Sequence, residues 1–127
     1  MIKETVICII IVIGIIGLEL FTQNFTGKTV KEITESFGKI ENEIVKQDIE
    51  QINIEIDKIG NMWEEKQKKL AYYIEHDELE KVHTAIVIMK SYAETEDYSS
   101  AMAALEEGKF VIEHIQEKNS FNLQNIF

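Results

Sequence analysis

Between residues 30 and 63 the chain reads VKEITESFGKIENEIVKQDIEQINIEIDKIGNMW, and the spacing of its large apolar side chains decides the fold. Val30, Ile33, Phe37, Ile40 and Ile44 follow one another at gaps alternating between three and four residues. That is the period of a helix with one apolar stripe. The stripe shifts at Val45 and resumes through Ile49, Ile52, Ile56, Ile59 and Trp63. Such a shift reads as a stutter, a drift of the seam around one continuing helix. Thr29, with Glu32 three residues on, matches a capping box at the helix start. Leu70, Tyr73 and Ile74 carry the pattern to about Glu75, and Gly60-Asn61 marks the expected kink or break. Unbroken from Thr29 to Glu75, the helix would span about 70 Å at ~1.5 Å per residue. Residues 29–60 are thus expected to stand as a stalk-like helix. An apolar stripe on a stalk calls for a partner, and a second copy in a coiled coil would give a homo-oligomer.

Downstream, Asp77 with Glu80 opens a helix through Leu79, Val82, Ile86, Met89 and Ala93. Asp97 caps the next, with Tyr98, Ala101, Leu105, Ile112 and Ile115 on one face and Gly108 on the same stripe, where it would allow close helix approach. Short connections make neighbouring helices antiparallel, so residues 61–118 are expected to form a compact three-helix unit. Residues 119–127 read as a tail with Phe121, Leu123, Ile126 and Phe127. Free solvated ends have no use for such groups, so these four and Asn125 are the candidate interaction residues. They would fold back beside the Trp63 helix or dock on a partner. No stretch alternates as a strand, so the fold class is all-α, and residues 29–127 make one helical domain.

Upstream the character changes. Residues Thr5 to Leu18, TVICIIIVIGIIGL, carry no charge, and Leu20 and Phe21 follow Glu19. A helix from Ile2 to Phe21 would rise about 30 Å at ~1.5 Å per residue, one hydrocarbon thickness. A cleaved secretory signal needs small residues at its exit, whereas Leu18-Glu19-Leu20-Phe21-Thr22-Gln23 offers bulky and charged ones. Residues 1–21 therefore read as a transmembrane anchor, and 22–28 (TQNFTGK) as a polar linker. Lys3 on one side is nearly balanced by Lys28 and Lys31 on the other. A short tail ahead of a larger domain behaves as a signal anchor, which places the carboxy-terminal domain outside the cell membrane. Cys8 is the single cysteine, so no intramolecular disulfide can form.

The net charge is −10 and arginine is absent, which argues against nucleic acid, whose phosphates need a basic face. The same balance argues against an electrostatic grip on anionic lipid. Chemistry-bearing residues are sparse. His76, Glu80 and His83 share a helical face at i, i+4, i+7 and are the candidate metal ligands. The bare Glu80-x-x-His83 has no second copy, as a di-iron bundle requires, and H-E-x-x-H is absent. Ser91, Ser99, Ser100 and Ser120 lack a nucleophile context. Neither a catalytic centre nor a cofactor site is expected. Trp63 with Tyr72, Tyr73, Tyr92 and Tyr98 would line a ligand pocket or, more simply, the core. Lys66, Lys68 and Lys69 read as a solvated face.

The ordered set of an amino-terminal anchor, a long acidic helix, Trp63, His76-Asp77-Glu78-Leu79, an acidic break at Asp97 and the end Leu123-Gln124-Asn125-Ile126-Phe127 resembles the domain of unknown function 4363 family of clostridia and related spore-forming bacteria. The resemblance covers nearly the whole chain. It implies a membrane accessory subunit, since members are often encoded beside a multi-spanning membrane protein of the domain-of-unknown-function 421 type. It supplies no catalytic residues. The expectation is a membrane-anchored helical interaction protein without enzymatic activity. The alternatives are an extracytoplasmic ligand-sensing domain and a metal-binding domain.

Overall fold

Four helices make up the chain in the computed structural model, which describes the backbone through Ile126 and the side chains through Ser120. They are α1 (Ile2–Lys46), α2 (Ile49–Leu70), α3 (His76–Glu94) and α4 (Tyr98–Ile126). There is no strand among the described residues, as the periodicity requires. α1 packs on α2 and α4, and α3 packs on the same two. The helices therefore form a ring of antiparallel neighbours, an up-down-up-down four-helix bundle joined by short turns.

The shift of the stripe after Ile44 is a chain reversal. α1 ends at Lys46, and Gln47 takes the left-handed conformation at φ 60°. The amide of Asp48 donates to Glu43 O and that of Gln47 to Ile44 O, both at 3.1 Å, which is a Schellman closure. Asp48 then caps α2, its carboxylate accepting from the Gln51 amide at 3.3 Å. With the chain folded back there, residues 29–60 form no stalk. Ile33, Phe37, Ile40, Ile52, Ile56 and Ile59 all face the core and are buried. The stripe on which a homo-oligomer was expected lies inside the bundle. The helix runs unbroken through Gly60-Asn61 and stops at Leu70, followed by a turn over residues 71–75.

Other expected boundaries move as well. Residues 22–28 are helical, in the middle of α1, and Thr29 is buried there instead of capping an end. The side chains of Gln23 and Thr26 in this segment find partners on α4 and on the turn after α2, which holds it in register. The compact unit therefore includes the second half of α1 and is larger than residues 61–118. α3 has Glu75 at its cap position with no side-chain bond, and Asp77 lies in the first turn. Asp97 does cap α4, its Oδ1 accepting from the Ser100 amide at 3.2 Å. The turn before it repeats the first: Glu96 is left-handed at φ 59°, and the Asp97 amide donates to Tyr92 O at 2.9 Å. α4 does not stop at Lys118, since its backbone stays helical to Ile126.

Gly108 sits where α4 meets α1 and α3. A Cβ there would lie 2.9 Å from Phe37 Cζ and 3.2 Å from Ala85 Cβ, so the close approach needs glycine. The core is one cluster, from Val30 and Ile33 through Trp63 and Leu70 to Ile112 and Ile115. The first part of α1 stands apart from it. Its apolar residues from Ile2 to Phe21 are almost all exposed, and this stretch is long and apolar enough to cross a membrane.

Candidate functional site

The histidine face forms in part. α3 begins at His76, whose Nε2 lies 3.6 Å from Glu80 Oε1, and both side chains are open to solvent. His83, one turn on, lines a shallow hollow with Glu80, Glu64 and Lys68. Among the described residues no three His, Cys, Asp or Glu side chains converge on a point fit for a metal ion.

The tyrosines do not gather around Trp63. Tyr72 projects from the α2–α3 turn, 90% exposed, and Tyr92 is exposed near the end of α3. Tyr98 sits at the opposite end of the bundle, beside Ile44, Ile49 and Met102. Tyr73 alone enters a polar site. Its Oη lies 2.6 Å from Thr26 Oγ1 and donates to Thr22 O at 3.3 Å. Asn119 Nδ2 donates to the same Thr26 hydroxyl at 3.3 Å, and Gln23 Nε2 donates to Asn119 O at 2.6 Å. Ser120 Oγ closes the set on Gln23 Oε1 at 3.3 Å. Burial pushes the Tyr73 hydroxyl above its ordinary pKa of 10.0, and the bond with Thr26 opposes part of that rise. This layer joins α1, the α2–α3 turn and α4 directly beneath the exposed apolar stretch. Periodicity could not find it, because its members other than Tyr73 come from polar segments that the sequence marks as linker and tail.

Beside the layer, the lysine run is more engaged than a solvated face. Lys66 Nζ pairs with Glu32 at 3.4 Å, and Lys66 and Lys69 lie 5.6 and 5.9 Å over the Phe25 ring.

A long recess follows the seam between α2 and α3. One hollow of about 470 Å³ is lined by Trp63, Gly60, Asn61, His83, Ile86 and Val87. It continues into a second of about 380 Å³, towards Ile49, Asn53 and Ala93, across the Asp57–Lys90 ion pair at 3.2 Å. Trp63 is buried, and its indole N–H has no partner. Gly60 leaves the wall open, with nothing within 4 Å of where a Cβ would stand. The result is a trench with an apolar floor and charged rims, a shape that suits a helix or an extended segment. The candidate interaction side chains Phe121, Leu123, Asn125, Ile126 and Phe127 lie outside the described residues.

The model of the family described as Domain of unknown function (DUF4363) matches residues 20–126. That range takes in the bundle and leaves out most of the exposed apolar stretch. No curated protein and no solved structure matches the chain.

Proposed function

Because this chain belongs to the DUF4363 family, whose shared part is the helical bundle, we propose that it is a membrane-anchored interaction protein, an accessory subunit and not an enzyme. The observation that carries the reading is the exposed apolar stretch of α1, which runs into the bundle with no break. A helix of that length and composition is stable in hydrocarbon and costly to leave in water. α1 fixes the bundle at the membrane, with the bundle on the outer side. The α2–α3 trench offers the binding surface, and the partner is a multi-spanning membrane protein.

The ligand-sensing reading draws on one observation, the unpartnered indole N–H of Trp63 beneath the trench. A small acceptor reaching it would gain a hydrogen bond that the free protein lacks. The metal reading has the single His76–Glu80 contact, and two ligands hold a metal weakly.

The test is recovery of the full chain from native membranes after cross-linking, with Val87→Glu as the variant. Val87 is half exposed on the trench wall, so a carboxylate there alters the surface and leaves the core intact. A membrane protein recovered with the wild type and lost with the variant supports the reading. Equal recovery with both would exclude the trench, and recovery of none would count against an accessory role. Added protease should remove the bundle from intact protoplasts, and protection until lysis would reverse the orientation.

A further inference from the structure

We infer that the end of the bundle nearest the apolar stretch of α1 is a second membrane contact, in which the last turns of α4 lie in the lipid interface beside α1. The inference rests on the anchor reading above. It adds a lipid-facing surface made by a different helix.

The geometry follows from register. α1 passes from Phe21 into the bundle without a break, so the bundle keeps a fixed distance from the apolar stretch. α1 and α4 are paired at Gln23 with Asn119 and at Thr26 with Asn119. They are paired again where a Cβ on Gly27 would lie 3.4 Å from Gln116 Nε2. As one helix rises the other descends by the same step. Carried on, this sets residues 122–126 of α4 beside about residues 16–21 of α1. That part of α1 holds Leu18, Leu20 and Phe21, all exposed. A helix end running alongside an apolar helix meets the medium that the apolar helix meets.

The sequence of this extension fits such a place. Residues 121–126 read FNLQNI, with three large apolar side chains, three amides and no charged side chain. Apolar groups mixed with amides suit the boundary between acyl chains and headgroups. The rest of the same level agrees. The Phe21 and Phe25 rings stack with centroids 6.4 Å apart, and Lys66 and Lys69 hold their amines over Phe25. Lysine stems lie along apolar surface while the charge reaches water, and aromatic rings concentrate at headgroup depth. Tyr72, almost fully exposed, stands on the adjoining turn. The layer of Thr22, Gln23, Thr26, Tyr73, Asn119 and Ser120 then separates the bundle core from the interface with polar groups already paired to one another.

The experiment uses the full chain in phosphatidylcholine vesicles, labelled at single cysteines with an environment-sensitive fluorophore. Leu123→Cys, Ile126→Cys and Val45→Cys are each made with Cys8→Ala. Val45 is an exposed site at the far end of the bundle. A fourth sample carries the label on native Cys8. Labels at 123 and 126 should shift to the blue and lose most of their emission to brominated phosphatidylcholine, while the label at 45 is quenched by aqueous iodide alone. Labels at 123 and 126 open to iodide and untouched by brominated lipid would overturn the inference, as would labels reached by neither quencher, which means burial in protein. If the Cys8 label is quenched by brominated lipid in either of those cases, the anchor reading stands and the second contact falls. If the Cys8 label is not quenched by lipid, both fall.

Discussion

Replacing Gly108 by alanine tests the close contact on which the α1–α4–α3 packing depends. In a solvated helix interior the change would stabilise by up to about 1 kcal/mol, because alanine loses less backbone freedom on folding. Here the new methyl meets Phe37 Cζ at 2.9 Å and Ala85 Cβ at 3.2 Å. Ordinary carbon contacts sit at ~3.5–4.0 Å, so the ring must retreat by more than half an ångström. Phe37 is fully buried, with no free side to move into. Overpacking of this kind costs roughly 1–3 kcal/mol, which cancels or exceeds the helical gain. Gly60→Ala supplies the internal standard, since its Cβ would meet nothing within 4 Å. The difference between the two variants isolates the steric cost, about 1–3 kcal/mol. Thermal melting of the full chain in detergent, followed by circular dichroism, reads it. Each kcal/mol moves Tm by about 4–8 °C in a domain of this size. Gly60→Ala should melt above the wild type and Gly108→Ala at or below it. Phe37→Leu added to Gly108→Ala should recover part of the loss through coupling. If Gly108→Ala stabilised as much as Gly60→Ala, the close-approach argument would be refuted.

Asp97→Ala should cost about 0.5–2 kcal/mol and Asp97→Asn far less, because the cap needs an oxygen acceptor more than a charge. Asp77→Ala, on a residue in the first turn of α3 that bonds no amide, should stay nearer the wild type in the same denaturation series. Gln47→Gly and Glu96→Gly should each raise Tm, since both residues hold a left-handed conformation that costs an L-residue roughly 1–2 kcal/mol; a fall in Tm would mean that the two Schellman turns are misread. Tyr73→Phe removes the bond to Thr26 and should cost about 0.5–1.5 kcal/mol at neutral pH. The folded state holds the Tyr73 proton to higher pH than the unfolded chain does. Its contribution is thus complete below the ordinary value of 10.0 and lost as pH rises through the raised one, a loss that urea titrations should find diminished in Tyr73→Phe.

Much of this molecule is legible from local pattern. The helical period of Ile33, Phe37 and Ile40, and of Ile52, Ile56 and Ile59, names core residues correctly because burial of a helix face depends on spacing alone. The exposed apolar stretch, the cap at Asp97 and the packing role of Gly108 are also read from single segments. The reversal at Gln47-Asp48 is not, although Asp48 with Gln51 three residues on carries a capping signal. A register shift of the stripe is the same string of letters whether the seam drifts around one helix or two helices meet at a two-residue turn. The choice falls to the turn because the stripe of α1 finds its partner in α2 and α4 of the same chain. The helical state of residues 22–28 was decided in the same way. Thr22, Gln23 and Thr26 look like linker until Tyr73 and Asn119 arrive from far along the chain to satisfy them. Periodicity records what each residue needs buried. Which distant group meets that need is set by the packing of all four helices together, and no local window of sequence contains it.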